Sequence, residues 1–405
     1  MNRDLTDYLT AAEAWLVSQL PRRDTARDLR WGEGSDDVAI LKNHSFEEER
    51  ARIDAIREWQ RTKSDAGYGS IAWPVELGGA GLGHDHALAF LELEAQFETP
   101  PGHSLFDISL ELISPTVMLL GTPEQQQRYV PSFRRGDEVC CQIFSEPGAG
   151  SDLGSIATRA VRDGDEWVID GQKVWTSGAR HADFGYLLCR TGTVEEQHRG
   201  LTAFIVPMNT PGIDIRPLRQ MSGGAEFNEI FLTGARVADA NRLGEIGGGW
   251  QVALTTLGFE RAAAANTEAT RAAFFPRLVM LARRVGRDDD PIIRQGLARV
   301  YIEEEVQRLT RRRAAEGWRT TGRPGPEGSI GKLAWTDALQ DIGDLAAALL
   351  GAALTADTGE WGTFRWAEFL TGTQGLRIGG GTDAVQRNTI GERVLGLPRE
   401  PRLGG

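Results

Sequence analysis

Cysteine is scarce in this chain: three in 405 residues, with Cys140 and Cys141 adjacent and Cys189 apart. That count and spacing supply neither a disulfide framework nor a zinc site, so all three are expected as small buried hydrophobes. Long apolar runs are also missing. The longest uncharged stretch, Ile246–Phe259, carries three glycines near its start and falls short of the roughly 18 residues a membrane span needs, so no membrane span is expected. The amino terminus holds Asp4, Asp7 and Glu13 where a secretory signal would need a basic start and an apolar block, which favours a cytoplasmic protein. Positive charge is in deficit, 45 Lys and Arg against 57 Asp and Glu for a net −12, which argues against nucleic acid as a partner.

What remains is an ordinary folding composition, with 40% hydrophobic, 8% aromatic and 25% charged residues. At roughly 150 residues per domain the length suggests about two or three domains. Up to residue 138 the periodicity is helical, as in Phe46–Ser64, His86–Phe97 and Leu105–Leu120, interrupted by a glycine-rich loop over Gly67–Gly83. From 139 to 242 short runs rich in β-branched and aromatic residues take over: Trp167–Ile169, Phe184–Cys189, Leu201–Val206, Ile213–Leu218 and Glu229–Val237. Asp163-Gly164 and Asp170-Gly171 read as hairpin turns of an antiparallel barrel or sandwich. From 243 to 405 helical periods return in Trp250–Ala265, a segment from Pro291 with Ile293, Leu297, Val300 and Tyr301 on one face, Ile330–Ala353 and Ala384–Val394. Pro291 after three aspartates is a strong helix start. The expected fold is therefore a multidomain α+β one: an N-terminal helical domain (1–138), a middle β domain (139–242) and a C-terminal helical bundle (243–405).

Two segments carry chemistry. Gln142-Ile143-Phe144-Ser145-Glu146-Pro147-Gly148-Ala149-Gly150-Ser151-Asp152-Leu153 combines glycines, where a flat ligand or a phosphate can approach backbone N–H groups, with the hydroxyls of Ser145 and Ser151; its glycines alone would equally make a tight turn. Gly171-Gln172-Lys173-Val174-Trp175-Thr176-Ser177-Gly178-Ala179 sets an indole beside two hydroxyls, although a Trp in a strand is ordinarily core packing. His84, Asp85 and His86 have no third ligand placed by spacing, so no metal site is expected.

Together the two segments closely resemble the signature stretches of the acyl-CoA dehydrogenase family, as do Ala72-Trp73-Pro74, Gly78-Gly79-Ala80-Gly81 and Gly121-Thr122-Pro123-Glu124-Gln125. The likeness extends along nearly the whole chain. It implies FAD as cofactor and an acyl-CoA thioester as substrate, enclosed by a helical domain, a β domain and a four-helix C-terminal domain. On that resemblance Ile143, Phe144 and Ser145 hydrogen-bond the flavin ring, with Gly150 in the same cofactor-binding stretch. Ser151 lies near pantetheine and pyrophosphate, and Trp175, Thr176 and Ser177 wall the ring and reach its N5. Arg294 resembles an arginine that crosses a subunit interface to the FAD pyrophosphate, and Thr382 matches a cofactor contact that helix capping would equally explain.

The chemistry so implied is α,β-desaturation, in which a base removes the α-proton and the β-hydrogen leaves as hydride to flavin N5. The base gains from a dry site that raises its pKa, and the enolate oxygen needs donors. Most family members carry this base in a Glu-Gly-Thr motif, but here Ile378-Gly379-Gly380-Gly381-Thr382-Asp383 puts Gly380 at the position. Relatives of isovaleryl-CoA dehydrogenase type supply it from a Glu-Arg pair, which Phe259-Glu260-Arg261 matches, with Phe259 and Arg261 beside the substrate. Independently of the resemblance, Thr256, Leu257, Ala263 and Ala264 give Glu260 no basic partner on its own helix, so burial would raise its pKa. A surface glutamate, or one paired to another helix, is the alternative. Gly380 would leave room for a base entering from the other side or for a bulky acyl group.

The resemblance further implies an electron-transfer flavoprotein as acceptor and a homotetramer or α2β2 heterotetramer. Two alternatives share the fold: an acyl-CoA oxidase, and a flavin-poor structural subunit of a mixed tetramer.

Overall fold

A computed structural model describes residues 5–25, 27–263, 273–321 and 325–399. Two compact units emerge: Met1–Arg23, His44–Arg219 and Ala225–Leu257 in the first, and Asp24–Asn43, Gln220–Gly224 and Gly258–Gly405 in the second.

The first unit begins with helices α1 (Leu5–Gln19), α2 (Phe46–Asp65) and α3 (His84–Glu94). Ser45 and Glu48 form a reciprocal capping box that starts α2 where the acidic run Glu47–Glu49 meets the positive helix end. The expected helix Leu105–Leu120 is really three pieces, α4 (Ser104–Asp107), a π-helical stretch Ile108–Ile113 and α5 (Ser114–Leu120). Pro115 follows the π stretch, where its missing N–H costs least. Helix α6 (Pro123–Arg135) has a Thr122–Gln125 capping box and ends on Gly136, whose φ of 76° closes it in the left-handed region.

The sheet comprises β1 (Cys140–Ile143), β2 (Arg159–Asp163), β3 (Glu166–Ser177), β4 (Phe184–Arg190), β5 (Leu201–Pro207), β6 (Ile213–Leu218), β7 (Phe227–Ala238) and β8 (Arg242–Leu243). Their order is β6-β7-β3-β2-β4-β5-β8, with β1 parallel to β4. Asp163-Gly164 does turn β2 into β3, since Asp163 pairs with Glu166. Asp170-Gly171 does not turn: it lies inside β3 at a register shift, and Gly171 is required because an added Cβ would stand 2.5 Å from Thr158 Oγ1. Alternate residues of the sheet, among them Ile169, Leu187, Phe204 and Ile230, pack with Ile53, Leu105 and Leu110 into one core. The three cysteines are free and fully buried, and burial pushes the Cys189 thiol up to about 12. His86 is a buried first-turn residue of α3 set edge-on to Tyr8.

Helix α7 (Gly249–Ala263) starts in the first unit and ends in the second; residues 264 and 265, expected to prolong it, lie outside the described residues. The second unit continues with α8 (Phe275–Arg284), α9 (Pro291–Thr321), α10 (Gly328–Leu350), α11 (Arg365–Leu376) and α12 (Asp383–Thr389), the last followed by a π-helical turn, Ile390–Val394. Asp290 Oδ1 accepts the Ile292 N–H at 2.9 Å, which accounts for the start at Pro291. Ile293, Leu297 and Val300 face the core with Leu281, Leu339 and Phe369, whereas Tyr301, expected on that face, is exposed. α8 and α11 are missed by periodicity, because α8 opens on proline and glycines at 372 and 375 interrupt α11.

Candidate active site

Within the first unit, the segment leaving β1 and the bulged end of β3 are tied together by a buried ion pair. Lys173, with no solvent exposure, donates from Nζ to Phe144 O at 2.9 Å and to Glu146 Oε1 at 2.8 Å. The Glu146 carboxylate also accepts the N–H groups of Ala157 at 2.7 Å and Thr158 at 2.9 Å. Burial opposes the charge on Glu146, but Lys173 and these further donors outweigh it and hold the carboxyl below its usual range. Val174 N donates to Ser145 O at 2.9 Å, so Ile143–Ser145 and Trp175–Ser177 are held side by side.

Lys173 points inward, and strand alternation would send Trp175 the same way. Instead three steps along β3, from Lys173 to Thr176, span two along β7, from Ile230 to Asn228. The extra residue is Trp175, held at φ 62° with its indole 61% exposed, while Thr176 takes the buried place. A bulky residue in the left-handed region costs of order 1–3 kcal/mol, and such outliers concentrate at ligand sites. Buried Thr176 Oγ1 has no hydrogen-bond partner among the described residues. An outward indole beside an orphaned hydroxyl suits a flat polar ring. Ser177 is half-buried next to them, while Gly150 and Ser151 lie exposed in the bend that follows Ala149.

The second unit holds Glu260 near the end of α7, half-buried, with Phe259 half-buried beside it; the side chain of Arg261 lies outside the described residues. Glu260 meets the glycine turn before α12: a Cβ built on Gly380 would lie 3.3 Å from Glu260 Oε1. Gly380 (φ 67°) and Gly381 (φ 89°) are both left-handed. Thr382 caps α12, its hydroxyl accepting Val385 N at 3.3 Å. Asp383 beside it accepts Arg377 Nε at 2.8 Å and pairs with Lys332 at 3.5 Å. Burial opposes its charge, and Arg377 and Lys332 outweigh that effect, keeping the carboxyl below its usual range. Arg294 is exposed in the first turn of α9, and its guanidinium has no hydrogen bond or ion pair among the described residues.

Sequence spacing misses Lys173, Glu146 and Gln386, the last buried with its amide on the glycine turn. The one available signal was a lysine alone among the uncharged residues of one signature stretch and a glutamate in the other, where Asp152 is the one further charge. Among the described residues no helix is long and apolar enough to cross a membrane.

Comparison with known proteins matches three descriptions to the chain in order. These are acyl-CoA dehydrogenase, N-terminal domain, over residues 37–137, the middle domain over 141–235 and the C-terminal domain over 247–395. The acyl-CoA dehydrogenase IpdE1 of Mycobacterium tuberculosis (strain ATCC 25618 / H37Rv) is 38% identical over 99% of this chain and 100% of its own length. A solved structure described as the Tcur3481-Tcur3483 steroid ACAD is 28% identical, with a TM-score of 0.77 over 98% of this chain and 99% of its own. The ChsE4-ChsE5 complex from Mycobacterium tuberculosis is 27% identical, with a TM-score of 0.72 over 99% of each chain.

Proposed function

The chain belongs to the acyl-CoA dehydrogenase family, and from that premise we propose that it desaturates an acyl-CoA thioester with bound FAD, using Glu260 as the base. One observation carries the assignment: the Glu260 carboxylate stands against Gly380, the position from which the more common base of the family would branch. A glycine there leaves the space to the carboxylate arriving from α7.

FAD supplies the acceptor for the β-hydrogen, taken as hydride. The exposed indole of Trp175, the orphaned Thr176 hydroxyl and the backbone of Ile143–Ser145 would hold its ring, and the free guanidinium of Arg294 suits its pyrophosphate. Lys173 and Glu146 keep the two ring-facing segments in register. Glu260 breaks the α-C–H bond and keeps the proton, while the electron pair passes toward the thioester oxygen. Phe259, Arg261 and Ser151 would contact the substrate.

We take 1–138, 139–242 and 243–405 as the three functional segments. An electron-transfer flavoprotein is the proposed electron acceptor, and a homotetramer or α2β2 heterotetramer the working assembly, the latter favoured by likeness to a two-component complex. Likeness to a steroid acyl-CoA dehydrogenase and the space at Gly380 favour a bulky, branched or polycyclic acyl group. Anaerobic titration of the flavoprotein with a panel of acyl-CoAs tests the reading: some thioester bleaches the native flavin and none bleaches Glu260→Gln. Equal bleaching in both would remove Glu260 from its role, and a preparation that takes up FAD only with a second chain would favour the structural-subunit alternative.

A further inference from the structure

The turn carrying Gly380 is held from behind by one buried side chain. Gln386, 2% exposed in the first turn of α12, donates from Nε2 to the carbonyls of Gly380 at 2.8 Å and Gly381 at 3.2 Å. Two carbonyl acceptors on one nitrogen fix which end of the amide faces the turn. They also require successive carbonyls to point the same way, which the left-handed backbone of both glycines allows. The approach is close: a Cβ on Gly381 would stand 2.7 Å from Gln386 Nε2.

A trans peptide sets its N–H opposite its C=O. With both carbonyls committed to Gln386, the N–H groups of Gly381 and Thr382 are turned away from it, and neither has an acceptor among the described residues. Successive unpaired N–H groups in a left-handed turn form a concavity suited to a negatively charged oxygen. The far end of the turn is fixed as well, since Asp383 N donates to Arg377 O at 3.2 Å and the Asp383 carboxylate is gripped by Arg377 and Lys332.

We propose that Gln386 is a positioning residue that aims the N–H groups of this turn at the thioester oxygen, where negative charge develops as Glu260 takes the α-proton. The proposal rests on the acyl-CoA reading given above. In the step it serves, the α-C–H bond breaks, the proton passes to the Glu260 carboxylate, and the electron pair is shared onto the thioester oxygen. The N–H groups bind the carbonyl oxygen of the thioester and hold it more strongly as it becomes an enolate. Gln386 itself touches neither substrate nor cofactor.

The signature is selectivity for the oxygen. Calorimetric binding to the flavin-loaded enzyme would compare an acyl-CoA thioester whose β-carbon bears no hydrogen with the matching thioether, which lacks the carbonyl oxygen. In Gln386→Met, thioester affinity is expected to fall about tenfold while thioether affinity stays within about twofold. Gln386→Leu, which likewise has no donor for the two carbonyls, should show the same split and guards against poor folding of the first variant. Equal losses for the two ligands, or no loss for either, would overturn the proposal and leave Glu260 untouched. A native enzyme that binds neither ligand would overturn the acyl-CoA reading along with it.

Discussion

Glu260 and Gly380 share one space: the carboxylate oxygen lies 3.3 Å from the point where a side chain at 380 would begin. Any residue larger than glycine at 380 must therefore displace the carboxylate or strain the backbone, since φ there is 67°. In Gly380→Ala the left-handed conformation alone costs about 1–2 kcal/mol. Lower thermal stability is expected together with a clear loss of kcat, both measured against the native enzyme. A variant as active and as stable as native would show that the two residues do not compete.

Trp175 makes the opposite trade. Replacing it by glycine removes the strain of an indole at φ 62°, so the flavin-free protein should melt at or above the native temperature. The same change removes the exposed ring platform, and FAD affinity should drop by at least about tenfold. Differential scanning calorimetry of the apoprotein and flavin titration read the two effects separately.

The buried pair of Lys173 and Glu146 predicts a non-additive cycle. Lys173→Met leaves the Glu146 carboxylate buried without its cation, and a loss of about 3–5 kcal/mol is expected in denaturant unfolding. Adding Glu146→Gln should recover part of that loss, because no charge then remains uncompensated. Purely additive losses would mean that the two residues do not act as a pair.

Acid stability should depend on Glu49. Burial alone would raise its pKa, but hydrogen bonds from His103 at 3.0 Å and His181 at 2.9 Å outweigh burial and hold it at about 2. Arg180 faces the same carboxylate at 3.4 Å. A depressed carboxyl stabilises the fold above its unfolded pKa and loses that contribution as pH falls toward its folded one, here from about 4.5 down to about 2. Glu49→Gln should therefore flatten the acid limb of the stability curve across that window, as followed by unfolding at stepped pH.

Much of the architecture is visible in residue patterns, because patterns report burial directly. Ile213–Leu218 is a strand to the residue, and Pro291 opens α9 because proline and the preceding aspartates meet the needs of a helix start. What the pattern hides depends on contacts between distant segments. Gly171 looks like a turn residue, yet it is there for the close approach of Thr158. Trp175 looks like core because alternation places it inward, and only the bulge against β7 turns it out. Gln386 gives no chemical signal at all until the turn folds back onto its amide.

Removal of the α-proton by Glu260 can be tested apart from any redox step. An acyl-CoA with α-hydrogens but no β-hydrogen, incubated with the flavin-loaded enzyme in D2O, should exchange its α-hydrogens for deuterium, as followed by proton NMR. Native protein should show enzyme-dependent exchange, and Glu260→Gln exchange reduced by at least about a hundredfold. Exchange at the native rate in that variant would contradict that role for Glu260.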